Sequence, residues 1–97
     1  MMTNFQININ KKAMKFMKDI ATSSPKDHLR IYNFLNSVLP ACENPCTLPN
    51  AKRLQGFKNH YRWRVGDFRI VGIVENGEFK IVQIVKISKR DENTYKI

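Results

Sequence analysis

Polar and apolar residues alternate strictly over FQINI at residues 5–9, with Phe5, Ile7 and Ile9 set against Gln6 and Asn8. A period of two is that of a half-buried strand. Asn10 then offers a helix cap, and from Lys11 to about Thr22 the period becomes helical. Ala13, Met14, Phe16, Met17 and Ile20 form one stripe, while Lys11, Lys12, Lys15 and Lys18 fall mostly outside it. Ser23-Ser24-Pro25 ends this helix and starts another, with Ser24 as cap, Pro25 at the first helical position and Asp27 near the positive end of the dipole. Leu29, Ile31, Tyr32, Leu35, Val38 and Leu39 carry the second helix to Pro40. Two helices joined by so short a turn predict an antiparallel hairpin lying on a sheet.

Periodicity fades from Ala41 to about His60, where Pro45, Pro49 and Gly56 mark a connector. It returns in Tyr61 to Val74, YRWRVGDFRIVGIV, where two alternating runs flank Gly66-Asp67. Gly followed by Asp suits a two-residue turn and sets a register, pairing Val65 with Phe68, Arg64 with Arg69, Trp63 with Ile70 and Arg62 with Val71. Paired residues share a face, so Arg62, Arg64 and Arg69 converge on one side. Like charges opposed across a ladder are destabilising, which points to a polyanionic ligand rather than to folding.

Asn76-Gly77 is a second two-residue turn signal and pairs Glu75 with Glu78, Ile73 with Lys80, Val71 with Val82 and Arg69 with Ile84. In that register Phe68, Ile70, Val74, Phe79, Ile81, Val85 and Ile87 face the helices. The other face then carries Arg62, Arg64, Arg69 and Lys86 towards one end and an apolar stripe of Val71, Ile73, Val82 and Ile84 elsewhere, in need of cover from the chain's tail or another protein. The expected fold is α+β: an N-terminal strand and an antiparallel helix hairpin on an antiparallel sheet of three to four strands, with a short C-terminal tail. At 97 residues the chain is a single domain, 1–97.

Charge directs the functional reading. The net charge is +9, and residues 51–97 hold 11 Lys/Arg against 5 Asp/Glu, where residues 1–50 hold 6 against 3. A basic domain of this size suggests nucleic acid first, an acidic protein second and an anionic membrane third. Apolar runs of four or five residues are too short to span a membrane, and the polar N-terminus lacks a signal-peptide core, so a cytoplasmic location is expected. Cys42 and Cys46 have no second cysteine pair, and His28 and His60 are not at ligand spacing. Two free thiols are expected, with no metal and no cofactor.

No nucleotide-binding glycine loop, Ser/His/Asp set or carboxylate pair is present. The functional material is cationic and aromatic: Lys52, Lys58, His60, Arg62, Arg64, Arg69, Lys89, Arg90 and Tyr95. Arginine forks match phosphate oxygens, and tyrosine can stack on a base. Such a set can bind RNA. It can also cut it without metal, because the 2′-OH attacks its own phosphate when the chain is held in line and the charged transition state is stabilised. Arginine is a poor general base, which leaves Lys52 or Tyr95 as better proton carriers.

AKRLQGFKNHYRWRVGDFRIV, followed by a strand, an NG turn, a further strand and KISKRDENTY, resembles the RelE/ParE superfamily of type II toxin-antitoxin toxins, and within it the RelE branch. Leu54, Gly56, Tyr61, Arg62, Arg64, Val65, Gly66, Asp67, Phe68 and Arg69 carry the resemblance. It implies a ribosome-dependent endoribonuclease that cuts mRNA by 2′-OH attack. Arg62 and Arg64 match the family's basic pair, Arg69 the phosphate-holding arginine, Arg90 the residue assisting the leaving group and Tyr95 the base-stacking tyrosine. Arg62 stands where lysine is also found, and Lys89 stands where some branches have histidine. Lys52, Lys58, His60 and Lys89 are expected to contact substrate. The resemblance also implies a small RelB-like antitoxin as partner, held on Val71, Ile73, Val82 and Ile84, with operator DNA bound only through that antitoxin. Two alternatives stay open: a ParE-like toxin acting on DNA gyrase, and an inactive homologue that only binds its antitoxin.

Overall fold

Asn10 is where the first strand becomes a helix. A computed structural model, describing residues 5–76 and 80–89, runs β1 (Gln6–Ile9) directly into α1 (Lys11–Ser23). The Asn10 side-chain oxygen accepts from the Ala13 N–H at 2.8 Å, its Nδ2 donates to the Val85 carbonyl at 2.8 Å, and its own N–H donates to the Ile84 carbonyl at 3.0 Å. One residue thus caps the helix and ties its start to the sheet.

The second helical rod comprises α2 (Pro25–Asn33), a π-helical stretch (Phe34–Val38) and a last α turn (Leu39–Ala41). The widened turns come just before Pro40, whose ring crowds the carbonyl four residues earlier in a regular helix. Ser24 does not cap α2 with its side chain as expected. Its hydroxyl donates to the Asp27 carboxylate at 2.6 Å instead.

Four further strands, β2 (Ala51–Arg53), β3 (His60–Val65), β4 (Phe68–Asn76) and β5 (Lys80–Lys89), complete a five-stranded sheet in the order β1-β5-β4-β3-β2. All neighbours are antiparallel except β1 and β5, which run parallel. The α+β class and the helix hairpin on a sheet are as the sequence predicts; the strand count is larger. β2 lies in the expected connector, where three residues are too few to show a period.

The β3–β4 ladder has the predicted register, with Gly66 in the left-handed region at φ +60° as the turn requires. The β4–β5 ladder does not. Glu75 pairs with Ile81 and Asn76 with Lys80, so three residues separate the strands rather than two. Further along, Val71 pairs with Lys86 but Gly72 with Ile84, leaving Val85 as a bulge. The first shift exchanges the faces of residues 80–84, and the bulge restores the expected ones beyond it, with Lys86 outside and Ile87 inside. Val82 and Ile84, expected on the outer stripe, are 0% and 1% exposed in the core, while Ile81, expected inside, shares the outer face with Glu75. Phe79 lies outside the described residues.

The core lies between the helices and one face of the sheet and is built on Trp63, Ile31, Leu35, Leu39, Ile70 and Ile84. Gly72 makes room for it. A Cβ there would lie 3.0 Å from the Gln83 carbonyl and 3.0 Å from the Trp63 ring, so the absent side chain lets the indole lie across β4.

Candidate nucleic-acid interface

The sheet face opposite the helices collects the predicted cations. Arg64 pairs with Arg69, Arg62 with Val71 and His60 with Ile73, and Lys52 on β2 pairs with Arg62. Paired residues share a face, so Lys52, His60, Arg62, Arg64 and Arg69 line one surface across three strands. Lys86 joins them from β5, opposite Val71. Arg62 and Arg69 are half-buried, with the Arg69 Nε shielded from solvent, and Arg64 is exposed. Among the described residues paired onto this face, Glu75 is the one acid, and it accepts a hydrogen bond from Gln83 Nε2 at 2.8 Å. A carboxylate-poor face with this many cations is an anion surface.

The predicted connector fastens the arginine strand from behind. Asn50 grips Arg64 twice: its carbonyl accepts from the Arg64 N–H at 3.1 Å, and its Nδ2 donates to the Arg64 carbonyl at 2.7 Å. One residue earlier on β3, the buried Trp63 donates from Nε1 to the Pro45 carbonyl at 2.9 Å. Tyr61 hydrogen-bonds Cys46, which pushes its phenol above the usual tyrosine range. Burial likewise pushes the Cys42 thiol up, and its Sγ donates to the Leu39 carbonyl at 3.0 Å. Three of the six residues of β3 are therefore anchored by residues 45–50, and the guanidinium groups stand on a fixed backbone.

Other predicted residues lie elsewhere. Lys89 pairs with Phe68 and so belongs to the helix side of the sheet; the expectation that it contacts substrate followed from its place beside Arg90, whereas Lys86 occupies the open face as expected. Lys58 sits on the β2–β3 loop, its carbonyl accepting from His60 Nδ1 at 2.8 Å. Val71 and Ile73 are half-buried on the open face, but Val82 and Ile84 are enclosed in the core and cannot hold a partner there. Arg90 and Tyr95 lie outside the described residues. Phe57, half-exposed against His60, was missed; an aromatic in the polar run GFKNH was the available signal.

The model of the ParE toxin family of type II toxin-antitoxin systems matches residues 7–94. Toxin RelE1 of Methanocaldococcus jannaschii is 34% identical over 92 residues, covering 95% of this chain and 96% of the relative. The chain belongs to the RelE/ParE superfamily of type II toxins. Solved structures share the toxin's fold. The toxin-antitoxin complex RelBE2 of Mycobacterium tuberculosis superimposes with a TM-score of 0.70 at 16% identity, over 90% of this chain and 99% of that one. The YoeB dimer of Staphylococcus aureus gives 0.65 at 17% identity, over 92% and 98%. The RelB-RelE complex of Methanococcus jannaschii gives 0.51 at 24% identity, over 84% and 88%.

Proposed function

We propose that the toxin is an endoribonuclease that cuts mRNA on the ribosome. The observation that carries this reading is the opposition of Arg64 and Arg69 on an open face that also holds Lys52, Arg62 and His60. Guanidinium groups converging from two strands suit a phosphodiester, whose nonbridging oxygens gain charge as the 2′-oxygen attacks. The 2′-O–P bond forms as the P–O5′ bond breaks, giving a 2′,3′-cyclic phosphate and a 5′-hydroxyl. The 2′-OH proton leaves and one proton reaches the 5′-oxygen, so neither metal nor water enters the step. Arg62, Arg64 and Arg69 hold the phosphate and stabilise its transition-state charge; Arg90 assists the departing oxygen, and Tyr95 stacks on a base. The ribosome holds the mRNA in line, because arginines alone accelerate little through proton transfer.

A RelB-like antitoxin is the second partner in this reading. The RelBE2 and RelB-RelE structures are toxin-antitoxin complexes. Here the open face offers Val71, Ile73 and Ile81 to apolar residues of such a segment and the arginines to its acids. The toxin works in the cytoplasm; among the described residues no helix is long and apolar enough to cross a membrane.

The match to the ParE family favours gyrase as a second reading, and one experiment separates the two. The toxin is incubated with bacterial ribosomes and a defined mRNA, and in parallel with DNA gyrase and relaxed plasmid. Cleavage only with ribosomes, lost in Arg69→Ala and Arg90→Ala, is expected. Intact mRNA with blocked supercoiling would transfer the toxin to the gyrase class, and neither activity would leave a protein that only binds its antitoxin.

A further inference from the structure

Outside the arginine cluster, the β2–β3 loop displays a ring that the core does not use. Phe57 is 52% exposed. The loop is closed by the Leu54 N–H donating to the His60 carbonyl at 3.0 Å, and is tied to β4 by the Val74 N–H donating to the Asn59 carbonyl at 2.9 Å. Gly56 at φ +85° and Asn59 at φ +60°, both left-handed, bracket Phe57 and Lys58. A pinned backbone with two such residues presents the ring in a set position. Phe57 lies 5.4 Å from the His60 ring, tilted by 48°, and His60 is itself oriented by the Nδ1 bond to the Lys58 carbonyl. The loop, together with Arg53 at the end of β2, borders an open depression of about 540 Å³, larger than a nucleobase needs.

We propose that Phe57, backed by His60, is a stacking platform for one unpaired base of a single-stranded RNA. This rests on the ribonuclease reading and adds a second contact to it. His60 shares the open face with Arg62 and lies four residues from Arg64 along β3, about 13 Å at the rise of a strand. A strand whose phosphate lies between Arg64 and Arg69 can therefore lay a neighbouring nucleotide on the platform. A phenyl face accepts any base, and the cations of the rim take the adjoining phosphates. The surroundings favour a base over an apolar peptide side chain: Lys58 and His60 flank the ring, and a nucleotide brings its phosphate together with its aromatic surface. A duplex is excluded because its bases are already stacked.

The test uses a non-cleavable 2′-O-methyl RNA oligomer carrying 2-aminopurine at successive positions, titrated with the full-length toxin. Quenching is expected at one position. Phe57→Ala is expected to abolish it and raise Kd about tenfold, and Phe57→Trp to restore both. In ribosome-programmed cleavage, Phe57→Ala is expected to raise KM by about tenfold with kcat within about twofold. Circular dichroism melts of both variants check folding. No quenching by the unmodified toxin at any position overturns the platform. So do unchanged quenching and KM in Phe57→Ala, while the same toxin still cutting mRNA leaves the ribonuclease reading intact. Quenching through Phe57 in a toxin that cuts no mRNA has the reverse meaning. Weakened antitoxin binding in Phe57→Ala with unaltered RNA binding assigns the ring to the protein partner and also overturns the proposal.

Discussion

Replacing Trp63 by Phe probes the support behind the arginine strand without touching its open face. Trp63 is 0% exposed, and its Nε1 donates to the Pro45 carbonyl at 2.9 Å, a bond that a phenyl ring cannot make. Pro45 is buried too, so its carbonyl loses its partner where water cannot replace it, at about 2 kcal/mol. The smaller ring also forfeits contacts along Tyr61, whose ring centroid is 6.4 Å away, and over Gly72, for about another 1 kcal/mol. A total of about 3 kcal/mol in a chain of this size lowers Tm by about 15 °C. Trp63 is the only tryptophan, so the melt is followed by far-ultraviolet circular dichroism rather than by fluorescence. A loss below about 4 °C would refute the view that the indole clamps residues 45–47 to β3. Cleavage per folded molecule at low temperature should be near wild type, since Arg62 and Arg64 point to the other face.

Three further outcomes are expected. Gly72→Ala sets a methyl against the Gln83 carbonyl and the Trp63 ring and should cost about 2 kcal/mol in urea denaturation; an unchanged midpoint would show that the sheet yields there at no cost. Asn10→Asp keeps the cap oxygen but loses the Nδ2 bond to Val85, for about 1 kcal/mol, whereas Asn10→Ala loses both, for about 2 kcal/mol. Equal losses in thermal melts would mean that the cap contributes nothing. Burial raises the Cys42 thiol above its ordinary 9.0, so the folded chain holds this proton more tightly than the unfolded chain does. Its contribution is complete below about pH 9 and is lost as pH rises through the raised folded value, with Tyr61 adding the same sign from above 10.0. Denaturation midpoints above pH 9 should fall less steeply in Cys42→Ser, and an identical slope would contradict the assignment.

Much of this architecture is local and therefore legible in residue order. The strand at 5–9, both helices, the Asn10 cap and the Gly66-Asp67 hairpin follow from periods and turn chemistry over fewer than 20 residues. The arginine face follows as well, because a two-residue turn leaves one register for Arg62, Arg64 and Arg69. What the residue order left undecided involves partners distant in the chain. The parallel pairing of β1 with β5 joins residues more than 70 apart, and β2 exists as a strand only because β3 is there to receive it. The face of Val82 and Ile84 was set by the spacing of the β4–β5 turn, and the Val85 bulge, whose carbonyl Asn10 holds from across the domain, returns Lys86 and Ile87 to the faces their alternation suggests. A one-residue slip reverses every side chain of a strand, so no alternation within β5 could settle which of its residues meet the helices. The cations were readable one by one. Lys86 was expected among them from the alternation of β5; only the sheet decided that Lys52 stands with them, and only the closed loop decided that Phe57 stays exposed beside His60.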